Sequence, residues 1–428
     1  MKKIHFIGIG GIGVSALARY YIEKGNDVSG SDLVSSEITK ALKKSGAKIV
    51  IGKNKIPENA DLIIYSPAVY VKHRASNILS YPEALGELTR QYFTIAVSGT
   101  HGKSTTCAML SLILIKAGFD PTVIIGTKLK EFQDTNFRPG KSKYLIIEAD
   151  EHFASFLNYW PKMIILTNID ADHLDYYKNL NNIIKTFKKY VWHLPKDGLL
   201  ICNKDDKNSS KLKVQNSKLK AKCFSLKQPE AKKIKKLLKI PGDHMVADAL
   251  AALTAARALG VSDKISFAAL SEYNGAWRRF EIIRQKPFVL ISDYGHNPVK
   301  MLATLKGARE KYPDRRIWCV YQPHQYQRTH FLFKEFIKAF REALQPVQGK
   351  PPADNIIITD IYDVAGREEK EIKQETNSEK LVKAINKASV IYLSKEKIVN
   401  YLKANIKSGQ VVIIMGAGDI YKLCDELA

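Results

Sequence analysis

Thr94-Ile-Ala-Val-Ser-Gly-Thr-His-Gly-Lys-Ser-Thr-Thr106 is the stretch on which the reading of this chain turns. An apolar run ends in a turn bounded by Gly99 and Gly102, and Lys103, Ser104 and a helix-like Cys107-Ala-Met-Leu-Ser-Leu-Ile-Leu follow. Glycines at those points let backbone N–H groups face an anion, and the helix N-terminus adds its dipole. Lys103 can then reach β- and γ-phosphates while the Ser104 hydroxyl ligates Mg²⁺. The common phosphate-loop pattern wants a further glycine where this chain has Val97, so the match is to the shorter Gly-Thr-x-Gly-Lys-Ser/Thr form. A bare Gly-Lys-Ser is often a chance turn. With a strand before it and a helix after it, a nucleotide-phosphate site is expected.

The rest of the chain is compatible with such an enzyme. Its 428 residues divide into two or three domains, and a hydrophobic fraction of 45% suits a globular protein. No apolar run approaches the ~20 residues of a membrane span. Met1-Lys-Lys and the following apolar stretch imitate a signal peptide, but Gly8, Gly10, Gly11, Gly13 and His5 interrupt it and fit a nucleotide-binding turn better. Five cysteines lie far apart without a Cys-x-x-Cys pair, which speaks against a zinc site or disulfide frame and for a reducing cytoplasm. The net charge of +24 raises nucleic acid as a partner. Its densest part, Lys204 to Lys239, sets thirteen lysines against three acids with no arginine and few neighbouring aromatics. A stacking or base-reading surface wants both, so the stretch reads as a solvated face attractive to small anions, and no nucleic-acid partner is expected.

Along the chain the β/α pattern restarts twice. Lys2 to Ile7 is a strand feeding Gly8-x-Gly10-x-x-Gly13 and a helix through Tyr21; Asp27–Asp32 and Leu62–Pro67 continue the alternation. Asp32 stands near the offset at which an acid meets a ribose hydroxyl, so this segment alone says dinucleotide. The central segment offers Tyr144–Glu148, with an acid at the strand's carboxyl tip, then Met163–Ile169, Leu199–Asn203 and a helix over Ala247–Ala258. The last segment has strand-like runs at Phe288–Asp293, Ile317–Tyr321, Ile356–Asp360, Val390–Leu393 and Val411–Met415, with a loop at Gln348–Ala353. The expectation is α/β, three consecutive domains: a Rossmann-like 1–92, a phosphate-loop ATPase domain 93–278 and a Rossmann-like 279–428.

Six motifs then follow one another in a telling order. Gly99-Thr-His-Gly-Lys-Ser-Thr, Glu148-Ala-Asp-Glu, Thr167-Asn-Ile-Asp-Ala-Asp-His173, Arg278-Arg-Phe-Glu281, Asp293-Tyr-Gly-His-Asn-Pro298 and Gln322-Pro-His-Gln-Tyr-Gln-Arg-Thr329 resemble the Mur ligases from His5 to Gly418. The histidine inside the phosphate loop and the Gln-Pro-His…Arg-Thr segment resemble the branch that adds L-alanine to UDP-N-acetylmuramate and its tripeptide-recycling relative. The resemblance implies ATP-dependent amide formation through an acyl phosphate, in peptidoglycan precursor synthesis, in the cytoplasm, by a monomer or weak homodimer. UDP-N-acetylmuramate, L-alanine and ATP are the implied substrates, with Mg²⁺ or Mn²⁺ as the ion. The UDP-sugar would lie on Gly8, Gly10, Gly11, Gly13, Ser31, Asp32 and Ser66. ATP would lie on Gly99, Thr100, His101, Gly102, Lys103, Ser104, Thr105, Asn168, His244, Asp248, Arg279 and Asp293. The metal ligands would be Ser104, Glu148 and His173; Tyr294, His296 and Arg328 would face the amino acid. Lys103, His173, His296 and Arg328 would carry the chemistry, His296 orienting or deprotonating the amine with a pKa near neutrality.

Each assignment has an ordinary alternative: a helix-entry histidine for His173, a strand-end acid for Glu148, polar loop tips for Tyr294, His296 and Arg328, a linker ion pair for Arg279. The chain also departs from its relatives. His244-Met-Val-Ala-Asp248 replaces the usual His-Asn-x-x-Asn, Gln325 replaces an arginine, and Glu151-His-Phe replaces Glu-Ser-Asp. These changes bear on the adenine contact, amino-acid choice and affinity rather than on phosphoryl transfer. Lys188 reads as a surface residue, and Gly416 and Gly418 as a tight turn. Two other classes stand beside the ligase: a recycling ligase taking L-Ala-γ-D-Glu-diaminopimelate, and an NAD-dependent oxidoreductase built on the first glycine loop. A non-catalytic nucleotide-binding regulator is a further class.

Overall fold

The computed structural model describes residues 1–54, 56, 57, 59–69, 71, 75–214, 219–347, 349–363 and 370–428; Gln348, at the head of the expected loop, lies outside them. The chain forms two compact units. The first comprises residues 1–171, 180–237 and 247–273; the second comprises 172–179, 238–246 and 274–428.

The first unit holds two sheets. In the first are β1 (Lys3–Ile7), β2 (Asp27–Asp32), β3 (Lys48–Ile51), β4 (Leu62–Tyr65) and β5 (Ile78–Ser80), all parallel in the order β3-β2-β1-β4-β5. Ile4, Phe6 and Ile7 of β1 are all buried, which is why the strand reads as a continuous apolar run with helices on both faces. The order reverses between β1 and β4, and ligands of open parallel sheets bind at such a crevice beyond the carboxyl ends. Gly8 begins there.

The second sheet comprises β6 (Phe93–Ser98), β7 (Thr122–Leu129), β8 (Thr135–Arg138), β9 (Tyr144–Ala149), β10 (Met163–Leu166), β11 (Leu199–Asn203) and β12 (Lys220–Phe224), in the order β12-β11-β10-β6-β9-β7-β8. The β7–β8 pair is antiparallel and its other pairs are parallel. With β6 between β10 and β9, the register Ser98↔Leu166 and Val97↔Glu148 brings the phosphate loop, Thr167 and Glu148 to one edge. Two ties join the sheets. Asn136 of β8 donates to Ile12 O and, at 3.0 Å, to Ser15 Oγ. The helix Tyr81–Thr89 ends with Thr94 Oγ1 donating to Thr89 O at 2.9 Å and Trp160 N donating to Thr89 Oγ1 at 3.0 Å.

Sequence distance conceals one thiol pair. Strands β11 and β12 place Cys202 opposite Cys223, with the sulfurs 2.8 Å apart as free thiols, so these two cysteines do not lie far apart. Parallel strand pairing overrides the separation along the chain.

The second unit carries β13 (Glu281–Arg284), β14 (Val289–Asp293), β15 (Ile317–Tyr321), β16 (Asn355–Ile358), β17 (Val390–Tyr392) and β18 (Val411–Met415), in the order β13-β14-β18-β15-β16-β17. Only the edge strand β13 runs antiparallel to its neighbour. Because the last strand inserts between β14 and β15, the turns after all three share one edge. Leu290, Val320, Val412 and Ile414 pack one sheet face against Ile398, Leu402 and Leu423. Among the described residues no helix is long and apolar enough to cross a membrane.

Gly86 tests the junction inside the first unit. A Cβ on it would overlap Asn158 O, a backbone atom of the turn that follows the Glu148 strand. Alanine is intrinsically the better helix residue by about 1 kcal/mol, yet overpacking against backbone costs about 1–3 kcal/mol. Gly86→Ala should therefore lower the denaturant midpoint; an unchanged or higher midpoint would refute this packing.

Candidate functional site

The turn after β6 uses both glycines for steric reasons. Gly99 has φ +134° and Gly102 φ +82°, and a Cβ would overlap Thr167 Oγ1 at the first and Asp248 Oδ1 at the second. The turn is braced by the strand beside it. Thr100 N donates to Asn168 O at 3.1 Å and His101 N to Asn168 Oδ1 at 3.0 Å. Asn168 Nδ2 and Thr167 Oγ1 donate to His101 O at 3.0 and 2.6 Å. Asp170 N donates to Thr100 Oγ1 at 2.9 Å.

Lys103 opens the helix Lys103–Lys116 and folds back into the turn, donating to Gly99 O at 2.8 Å and to Glu151 Oε2 at 2.6 Å, with Asp150 Oδ1 3.5 Å away. Burial alone would lower the lysine's pKa, but Glu151, Asp150 and Glu148 hold the ammonium charged above its ordinary range. Burial pushes the Glu151 carboxyl up to about 7 although Lys103 pulls the other way. Next along, Ser104 Oγ donates to both Glu148 oxygens at 3.0 and 2.9 Å, and Gly126 N donates to Glu148 Oε2 at 2.8 Å. A hydroxyl and a carboxylate converging at a helix N-terminus form a hard oxygen donor pair suited to Mg²⁺.

Capping differs among the helices of the first unit. The helices Glu37–Lys44, Tyr81–Thr89 and Asp263–Glu272 start with a serine side-chain cap and an acid in the first turn. Ile12–Glu23 and Lys103–Lys116, which follow the two glycine turns, have neither. Their first amides are left for an anion, as a phosphate site requires.

In the first glycine turn Gly8 has φ +73° and packs against Ser66, and Gly8 N donates to Ser31 O at 2.8 Å. Asp32 Oδ2 accepts from Gly10 N at 2.8 Å and its Oδ1 from Val34 N at 3.2 Å. Gly8, Gly10, Ser31, Asp32 and Ser66 therefore come together, with Gly11 and Gly13 at the helix start. Asp32 braces the turn as well as facing the crevice.

The second unit gathers another constellation. Arg328 donates to His324 O at 2.7 Å and lies 3.4 Å from Asp172 Oδ1; Asn297 Nδ2 donates to Asp172 Oδ2 at 3.4 Å. Burial would raise the Asp172 carboxyl, but Arg328 first, then His173 and Lys300, hold it well below the carboxylate range. His296 is buried and hydrogen-bonded through Nδ1 to Tyr294 O at 3.1 Å. Burial first, then Lys300 and Arg328, push its pKa well below the ordinary value, so the ring is neutral rather than poised near pH 7 as expected from sequence. Arg278 and Arg279 lie over the Tyr294 ring at 4.9 and 4.6 Å.

The structure thus brings together Gly99, Thr100, His101, Gly102, Lys103, Ser104, Glu148, Asn168 and Asp248 in the first unit, and His173, Tyr294, His296 and Arg328 in the second. Thr105 is buried in the first helical turn. His244 belongs to the second unit and Asp248 to the first. Asp293 is occupied internally, accepting from Phe280 N at 2.8 Å, Gly295 N at 2.7 Å and Thr304 Oγ1 at 3.1 Å. Gly416 and Gly418 form the expected turn, their carbonyls accepting from Arg278. Sequence reading missed the roles of Glu151, Asp172 and Asn297, although all three lie inside quoted motifs.

Comparison with known proteins agrees with this geometry. Residues 3–93 match the Mur ligase family catalytic domain, 97–256 the Mur ligase middle domain and 278–418 the Mur ligase glutamate ligase domain. The UDP-N-acetylmuramate–L-alanine ligase of Clostridium acetobutylicum is 38% identical over 99% of this chain and 96% of its own length. That of Acetivibrio thermocellus is 39% identical over 99% and 94%. The crystal structure of UDP-N-acetylmuramate-alanine ligase MurC from Thermotoga maritima superposes with a TM-score of 0.78 at 26% identity, covering 100% of this chain and 98% of that one.

The buried pair predicts a pH dependence of stability. The Glu151 carboxyl has a folded value of about 7 against an ordinary 4.5, so the folded state holds a proton that the unfolded chain releases. Its contribution is complete below the unfolded value and is lost as pH rises through the folded one. Glu151→Gln keeps the uncharged form throughout, so the wild-type melting temperature relative to this variant should fall from about pH 5 to about pH 8. A difference constant across that range would contradict the assignment.

Proposed function

The chain belongs to the Mur ligase family, and on that premise we propose that it joins L-alanine to the carboxylate of UDP-N-acetylmuramate with ATP. The observation that carries the reading is the Lys103 ammonium folded into an uncapped helix N-terminus beside the Ser104–Glu148 donor pair. Two anions, a carboxylate and a γ-phosphate, must meet in line, and fixed positive charge with positioning supplies most of the acceleration of phosphoryl transfer.

A carboxylate oxygen of the sugar acid attacks the γ-phosphorus, the bond to the β-phosphate oxygen breaks and ADP leaves. The alanine amine then attacks the acyl carbon, loses a proton, and inorganic phosphate departs. Lys103, freed from Glu151 by the incoming phosphate, neutralises the transferring group. Ser104 and Glu148 would hold a Mg²⁺ or Mn²⁺ ion, and His173 is assigned to a second; the ion would screen phosphate charge. Arg328, oriented by Asp172, pairs with the alanine carboxylate or the developing oxyanion. Neutral His296 accepts the amine proton. Gly8, Gly10, Gly11 and Gly13 take the UDP diphosphate, with Ser31, Asp32 and Ser66 beside them. Thr100, His101, Thr105, Asn168, His244, Asp248 and Arg279 are assigned to ATP. Asp293 acts through the turn it braces. The ligand-binding divisions are 1–92, 93–278 and 279–428, and the reaction belongs to cytoplasmic cell-wall precursor synthesis by a monomer or weak homodimer.

A phosphate-release assay with ATP, Mg²⁺, UDP-N-acetylmuramate and single amino acids tests the proposal. Turnover should depend on L-alanine, and Lys103→Ala should reduce it by at least about a hundredfold. No alanine-dependent release would reject the reading. The same assay with L-Ala-γ-D-Glu-diaminopimelate should give none above background.

A further inference from the structure

One hydroxyl in the first unit packs against the first glycine turn. Tyr81 is the first residue of its helix, and the backbone carrying it is fixed. Ser80 N and Oγ donate to Glu83 Oε2 at 2.7 and 2.6 Å, Glu83 N donates back to Ser80 Oγ at 3.4 Å, and Pro82 restricts the first turn. The ring lies against Gly13: a Cβ built there would stand 2.9 Å from Tyr81 Cζ and 3.0 Å from Oη. Only glycine's hydrogen lets the ring tip close on the end of the first turn.

The same hydroxyl also feels the carboxylates of the phosphate site. Burial, then Glu148 and Asp150, raise its pKa, so the phenol stays protonated, and no hydrogen bond contributes to that shift. A lysine or arginine in this place would be drawn onto Glu148 and Asp150. A neutral phenol keeps its proton available to a third party, and a substrate anion is the strongest acceptor within such a crevice.

We propose that Tyr81 Oη donates a hydrogen bond to the acid-bearing sugar of the nucleotide-sugar, turning its carboxylate toward the γ-phosphate. This deepens the functional reading above and rests on the first glycine turn holding the diphosphate. The amides at Ile12 and Gly13, on the helix start, fix one end of that substrate, and the Tyr81 ring tip stands against Gly13 beside that end. A group that orients the acyl partner acts on one substrate only.

Titration calorimetry on the full chain, wild type against Tyr81→Phe, separates the possibilities with UDP-N-acetylmuramate, UDP and a non-hydrolysable ATP analogue as probes. The variant should weaken UDP-N-acetylmuramate about tenfold while changing UDP and the ATP analogue by less than about twofold. Its melting temperature should match wild type, because no internal hydrogen bond is removed. Equal weakening of UDP assigns the hydroxyl to the diphosphate, weakening of the ATP analogue assigns it to the γ-phosphate, and no change leaves it idle; each overturns the proposal. Wild-type protein that binds UDP-N-acetylmuramate without alanine-dependent turnover defeats the functional reading alone. Wild-type protein that does not bind it defeats both.

Discussion

A buried ammonium needs a counter-charge, and Lys103 organises the catalytic part of the first unit around that need. Removing the charge from water costs several kcal/mol unless anions and carbonyls replace the solvent. In the free chain the Gly99 carbonyl and the Glu151 carboxylate supply the replacement. The carboxylate does so reluctantly, since its own burial favours the protonated form. A phosphate, with stronger acceptors and more charge, is the better partner. The loop therefore holds its lysine in a position from which exchange for γ-phosphate is downhill.

Sheet order makes this possible. Placing β6 between β9 and β10 sets the carboxyl ends of three buried parallel strands side by side. The glycine turn comes from the first, the acids from the second and the Thr167–Asn168 brace from the third. The two glycines are then compelled by neighbours rather than by local preference, because Thr167 and Asp248 occupy the space a side chain would need. The bare N-termini of Ile12–Glu23 and Lys103–Lys116, against the capped starts of their neighbours, extend the same economy of charge to two anion sites.

Much of this was legible in the sequence. Continuous apolar runs announce doubly covered strands, so β1, β6, β9, β11, β14, β15 and β18 were found within a residue or two, and β2, with Val28 as its large apolar residue, was found from its place after the first helix. The strands β3, β5, β7, β8, β12 and β13 were not. They are short, at or near sheet edges, or polar on one face, as in β12, where Lys220 and Lys222 point outward within a run read as solvated surface. The motif residues announced themselves by type and spacing, but their internal partners did not. That Asp293 is spent on Phe280, Gly295 and Thr304, or that Asp172 serves Arg328 and Asn297, follows from which segments distant in the chain meet in the fold. The neutral state of His296 is a product of burial, which no local string records. Cys202 and Cys223 teach the same lesson through register.

The most direct measurement is a crystal structure with UDP-N-acetylmuramate, Mg²⁺ and a non-hydrolysable ATP analogue bound. The account predicts the γ-phosphate on the Lys103 ammonium in place of Glu151, with Ser104 and Glu148 around the ion and the UDP diphosphate at Gly8 to Gly13. A triphosphate seated elsewhere, or Lys103 still paired to Glu151 with nucleotide bound, would contradict it.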